Sequence, residues 1–153
     1  MAGTAYLIDT NVLLRWVKPD EQDYPMVVSA IESILRRGAI LCYASQNVAE
    51  FWNTCTRPIE RNGYALSPQD TDRRARLFEE KMQLLPDTVA VHEQWRSLLV
   101  AHNVSGVQVH DARLVAAMLV HGVKRMLTFN DKDFARYPQI EAIHPRNIPA
   151  ESP

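Results

Sequence analysis

The chain has 153 residues, with 17 Lys and Arg against 18 Asp and Glu, a net charge of -1, 46% hydrophobic and 23% charged residues. Those proportions describe one globular domain whose core closes without disulfides or a structural metal, and they exclude a strongly basic nucleic-acid coat while leaving a local basic groove open. Cys42 and Cys55 therefore read as free thiols of a reducing cytoplasm, Met1 to Pro19 lacks a signal-peptide pattern, and no stretch approaches the ~20 apolar residues of a membrane span.

Ala5 to Ile8 is too short for a helix and reads as a buried strand running into Asp9, with Thr10 and Asn11 as turn and capping residues. Val12 to Trp16 is helical until Pro19 and Asp20. A second helix, from about Tyr24 to Arg37, is closed by Gly38. Ala39 to Tyr43 is the next strand. Ser45 is expected to cap the helix that follows, where Val48, Phe51, Trp52 and Cys55 recur at helical spacing before Pro58, and Trp52 is assigned to the core.

Ser67-Pro68 opens a long charged helix expected to run to Leu85-Pro86, with Leu77, Met82 and Leu85 inward. Thr88 to Val91 reads as a short strand, Glu93 to His102 as a helix and Asn103 to Gly106 as a turn. Val109 to Gly122 is a helix with aliphatic residues on one face and Asp111 in its first turn. Arg125 to Phe129 is a strand, 130–134 a polar turn and Glu141 to His144 a last strand. Residues 1–147 form one domain and 148–153 a tail. Strands alternating with helices predict an α/β fold, a mainly parallel sheet covered on both faces, whose ligands gather at the carboxyl ends of the strands.

The acids fall near those ends. Asp9 closes the first strand, Glu50 lies on the helix after the second, Asp111 opens a late helix, and Asp131 and Asp133 follow the strand at Met126. Gathered on one rim they would repel one another, and a divalent cation or a shifted proton offsets that cost. All-oxygen ligands without paired Cys or His favour Mg²⁺ or Mn²⁺. The competing reading makes each acid a helix cap or turn residue, and spacing alone leaves both open. The five histidines show no metal-ligand spacing, with His110 singled out only for lying beside Asp111.

Four segments, Leu7-Ile8-Asp9-Thr10-Asn11, Ser45 to Asn53, His110 to Met118 and Leu127 to Phe134, occur in an order that resembles the PIN-domain ribonucleases of the VapC toxin type. The resemblance implies a Rossmann-like α/β/α fold, Mg²⁺- or Mn²⁺-dependent cleavage of RNA leaving 5′-phosphate and 3′-hydroxyl ends, a cognate antitoxin and a homodimer. By position it makes Asp9, Glu50 and Asp111 the core acids, with Asp9 and Asp111 nearest the metal. Asn130 stands where some members carry the fourth acid, and the string Asn130-Asp131-Lys132-Asp133-Phe134 assigns that role to Asp133, leaving Asp131 a solvated turn residue. Thr10, Asn11, Ser45 and Asn130 are the candidates for orienting the carboxylates. Two rivals are a catalytically silent PIN-fold module that binds RNA or protein, and a haloacid-dehalogenase-like phosphatase, which wants an Asp where Asn11 stands.

Overall fold

Alternation along the first strand, β1 (Ala5–Ile8), separates two cores, because successive side chains of a strand point to opposite faces. The computed structural model describes residues 4–149. After β1 come α1 (Thr10–Trp16), α2 (Tyr24–Arg36), β2 (Ile40–Ala44), α3 (Ser45–Thr56), α4 (Pro68–Glu79), β3 (Gln83–Leu85), α5 (Val89–Ala101), α6 (Gln108–His121), β4 (Arg125–Leu127) and β5 (Glu141–Ile143). The strands form one parallel sheet in the order β3-β2-β1-β4-β5.

Tyr6, Ile8, Leu41 and Leu127 face one core, filled by α1 to α4 through Val12, Leu13, Ile31, Ile34, Phe51 and Phe78. Leu7, Cys42, Ala44 and Met126 face the other, filled by α5 and α6 through Leu98, Leu114, Val115 and Met118. Both cysteines are buried free thiols, and burial pushes each up to about 11, so neither is a ready nucleophile. Ile148 packs into the first core, and the Pro149 carbonyl accepts hydrogen bonds from Ser33 Oγ and Arg37 Nη2.

The elements differ from the sequence expectation in one region. The long helix stops at Glu79, and Gln83–Leu85 pairs as a strand with β2, Leu84 opposite Tyr43. Met82 and Leu85 are three residues apart, a spacing that reads as one face of a helix, but in the structure they turn to opposite faces of the sheet, Met82 to the first core and Leu85 to the second, because pairing with β2 decides. Thr88 to Val91 is not a strand. The Thr88 side chain accepts from the Val91 backbone N–H at 3.3 Å and caps α5, leaving Val89 exposed and Val91 buried on a helical turn. Leu77 is 59% exposed, because the inward face of α4 is Thr71, Ala75 and Phe78. Trp52 is half-buried and belongs to neither core, lining a surface hollow with Tyr43, Val48 and Leu84 instead.

Phe78 stacks edge-on against Phe51 at 5.1 Å and Tyr43 at 6.0 Å. Phe78→Ala should therefore cost about 3–5 kcal/mol in urea unfolding, whereas Leu77→Ala should stay within about 0.5 kcal/mol. Equal losses would reject this orientation of α4.

Candidate active site

The chain order of the strands reverses between β1 and β4, and a parallel sheet opens its ligand crevice at such a switch point, outside the carboxyl ends of the strands. Asp9 stands there. Its backbone N–H donates to the Leu127 carbonyl at 3.0 Å, which prolongs the β1–β4 ladder by one residue. Its side chain then caps α1, Oδ1 accepting from the Thr10 N–H at 2.8 Å. The Thr128 hydroxyl donates to Oδ2 at 2.7 Å and the Asn11 amide does so at 3.4 Å. With 7% of its surface exposed, Asp9 is a buried carboxylate held by both strands of the switch point.

Three neighbours lock this arrangement. Thr10 Oγ1 donates to Glu50 Oε1 at 3.0 Å and accepts from Asn47 Nδ2 at 3.1 Å, while Asn47 Oδ1 accepts from the Ala44 N–H at 2.8 Å. That chain ties the β2–α3 turn to the start of α1 and fixes Glu50 toward Asp9. Asn11 Oδ1 accepts from the Phe129 N–H, and its amide also donates to Thr128. The position a phosphatase would give to a second Asp is thus occupied by a clamp between the ends of β1 and β4.

Asp111 lies in the first turn of α6, and that helix has no side-chain cap, so Asp111 is not there as one. Burial lifts its carboxyl to about 6, with Asp133 and Glu50 adding repulsion and His110 and Arg136 opposing it. Burial likewise lifts Asp9 to about 6, against the hydrogen bonds from Thr128 and Thr10 and with added repulsion from Glu50 and Asp111. Glu50 and Asp111 thus act on Asp9, and Glu50 and Asp133 act on Asp111. Asp133 sits in the 3₁₀ turn Asp131–Phe134 after β4, and Asp131 of the same turn lies beside His144 instead.

Of the residues expected to orient the acids, Thr10 and Asn11 do so directly. Asn130 contributes its backbone N–H, which donates to Thr128 Oγ1 at 3.0 Å. Ser45 departs from expectation twice. It is the first residue of α3 rather than its cap, and its hydroxyl donates to Asp87 at 2.8 Å, away from the acids. The sequence reading missed Asn47 and Thr128, both fully buried. The signal available for Thr128 is a Thr between Leu127 and Phe129 at a strand end; Asn47 is marked only by its place three residues into a helix.

The model of the PIN domain matches residues 6–140 of the chain. The chain belongs to the PIN-domain family. None of the curated proteins compared matches it. Among solved structures, VapBC2 from Rickettsia felis bound to a promoter DNA fragment has a TM-score of 0.67 at 13% identity, covering 92% of this chain and 98% of that one. DNA-bound VapBC from Salmonella typhimurium has a TM-score of 0.65 at 16% identity, covering 93% and 98%. The Mycobacterium tuberculosis VapC20, a sarcin-ricin loop cleaving toxin, has 0.62 at 14% identity, covering 86% and 95%. These likenesses establish a common fold.

In this PIN domain no three His, Cys, Asp or Glu side chains among the described residues are arranged to hold a metal ion as they stand. The acids form an open rim, not a closed cage. An open, all-oxygen rim fits a hard cation that keeps several of its own waters and is bound through one or two carboxylates, as Mg²⁺ is.

A group that holds its proton to a higher pH when folded than when unfolded favours folding at low pH and loses that contribution as pH rises. For Asp9 and Asp111 the loss falls between about 4 and about 6. Asp111→Asn should therefore raise the melting temperature of the metal-free protein at pH 7 to 8, with the gain fading toward pH 4 to 5. A destabilised variant at pH 7 would show that mutual repulsion at Asp111 is not significant.

Proposed function

We propose that this PIN domain is a Mg²⁺- or Mn²⁺-dependent endoribonuclease and the toxin of a toxin–antitoxin pair. The observation that carries the reading is the buried Asp9 carboxylate at the switch point, with Glu50 and Asp111 repelling it and Asp133 repelling Asp111 in turn. A rim so costly to charge suits a divalent cation. The structural likeness to VapC20, a sarcin-ricin loop cleaving toxin, supports RNA as the substrate.

Asp9 and Asp111 would hold the cation most directly, with Glu50 and Asp133 completing its surroundings. A bound divalent cation would neutralise the phosphodiester, polarise its phosphoryl oxygen and lower the pKa of a water for in-line attack. The protein's part is orientation. Thr128 and the Thr10 N–H fix both oxygens of Asp9, so its carboxylate does not rotate when a ligand arrives. Glu50, anchored at Oε1 by Thr10, and Asp133 on its short turn orient the attacking water, one of the two takes its proton, and the departing 3′ oxygen takes a proton from solvent. Cleavage leaves 5′-phosphate and 3′-hydroxyl ends.

The VapBC complexes support an antitoxin as partner, and an acidic rim on a nearly neutral chain suits an antitoxin segment that inserts an Arg or Lys among Asp9, Glu50 and Asp111. We place the toxin in the cytoplasm as a homodimer. Among the described residues no helix is long and apolar enough to cross a membrane.

Cleavage of a structured RNA with single-stranded loops should require Mg²⁺ or Mn²⁺ and stop in EDTA. Asp9→Asn and Asp111→Asn should each lower it by about two orders of magnitude or more, because an amide is a poor ligand for a hard cation. Full activity in EDTA would overturn the metal mechanism. Expression of the chain alone should arrest growth, and co-expression of a small gene beside its own should relieve the arrest and give a co-purifying complex. Harmless expression with no bound neighbour would remove the toxin role and leave the nuclease standing.

A further inference from the structure

A second concavity opens beside the acidic rim, between the first turns of α5 and α6. It encloses about 320 Å³ and is lined by Asp87, His92, Trp95, Val109, His110 and Arg113. Its α6 wall is the stretch that carries Asp111: Val109, His110 and Arg113 share one flank of the helix, and Asp111 projects roughly 100° around it from His110 and roughly 160° from Val109 and Arg113. The pocket meets the acidic rim on the His110 side, so a nucleotide next to a phosphate held at Asp111 would reach it around that side of the helix.

The lining is chemically specific. The Trp95 indole N–H donates to the Val109 carbonyl at 2.8 Å, which fixes the ring as a wall between α5 and α6. His92 meets Trp95 edge-on at 6.0 Å between ring centroids and is exposed on its outer side. Opposite the aromatic side, Arg113 Nη2 and Ser45 Oγ both donate to Asp87 Oδ2, at 3.0 and 2.8 Å. A guanidinium beside a carboxylate presents a donor next to an acceptor. The hydrogen-bonding edge of a nucleobase carries the complementary acceptor next to a donor, while its flat faces suit aromatic side chains. The cavity is also at the small end of the range for ligand sites, too small for a folded macromolecular segment.

The same residues tie the pocket to the rim. Gln46, next to Ser45 on α3, donates its amide to the His110 carbonyl at 2.9 Å. Through Ser45 and Gln46, α3 holds both the Asp87 side of the pocket and the turn that bears Asp111, and α3 also carries Glu50. These bonds join the pocket to the element that carries Glu50.

We propose that this pocket receives one unpaired nucleobase flanking the scissile phosphate, the His92–Trp95 pair giving it an aromatic wall on one side and the Asp87–Arg113 pair reading its edge. The proposal rests on the ribonuclease reading. It makes the enzyme selective at one position of single-stranded RNA.

Two measurements test it. Oligoribonucleotides that differ only at the bases flanking the cut should show a kcat/KM that depends on base identity at one flanking position, by about fivefold or more. His92→Ala, at an exposed position, should flatten that dependence by lowering kcat/KM most for the preferred base, and Arg113→Ala should change which base is preferred. Separately, in EDTA, the four nucleoside 5′-monophosphates are titrated against the wild-type protein with tryptophan fluorescence as readout. One base should quench saturably and at lower concentration than the others, and His92→Ala should abolish the difference. Cleavage without base preference, or a preference that both substitutions leave intact, overturns the pocket while the nuclease stands. Selective quenching without any RNA cleavage overturns the nuclease reading while the pocket stands.

Discussion

The burial of one carboxylate at the point where the strand order reverses sets most of the local architecture. Asp9 cannot be charged there at low cost, so the protein surrounds it with donors: the Thr10 N–H, the Thr128 hydroxyl and the Asn11 amide. Each donor has a second bond that fixes it. Thr128 receives the Asn130 N–H, Asn11 holds the Phe129 N–H, and Thr10 is set by Asn47. The polar residues around the site are a scaffold for one oxygen pair, and that scaffold also staples β1, β4 and α3 together.

The scaffold does not satisfy the charge completely. Hydrogen bonds lower the Asp9 pKa, yet burial and the neighbouring acids leave it raised to about 6. Asp111 ends in the same state for a different reason, since it lacks comparable donors and faces Asp133 and Glu50. Two carboxyls poised near neutrality on separate elements make the site responsive to whatever charge arrives. A cation or an inserted basic side chain gains affinity from the repulsion it relieves, and by linkage it stabilises the fold by the same interaction.

What the sequence makes legible follows from how local each signal is. Asp9 after four apolar residues, Asp111 in a helix closed by Gly122 in the left-handed region, and Phe51 and Cys55 at helical spacing are local, and the structure has each in the expected element. The segment from Met82 to Val91 is misread because its decisive interactions are not local. Gln83–Leu85 becomes a strand only because β2 is there to pair with it, and the apolar run at Val89 starts a helix only because Thr88 caps it. The missed polar residues share that origin: Thr128 and Asn47 act on partners 119 and 37 residues away. The resemblance to a known family grouped Asp9, Glu50, Asp111 and Asp133, which act on one another in the structure, since family motifs encode long-range proximity that periodicity cannot.

The misread segment also governs how the rim is completed. With Gln83–Leu85 as a strand, the chain leaves the sheet at Pro86, and Asp87 falls at the carboxyl-terminal edge beside Ser45 rather than at the end of a long surface helix. With Thr88 as a cap, α5 starts immediately and packs along α6, which brings Trp95 against Val109. Had Thr88 to Val91 been a strand, α5 would begin several residues later and its first turn, with Val91 and His92, would not line the cavity. A three-residue edge strand with little side-chain burial of its own thus determines which polar and aromatic groups stand next to Asp111. The β3–α5 junction, where Pro86, Asp87 and Thr88 are exposed, is therefore the place where the surroundings of α6 can change while the buried acidic scaffold stays untouched.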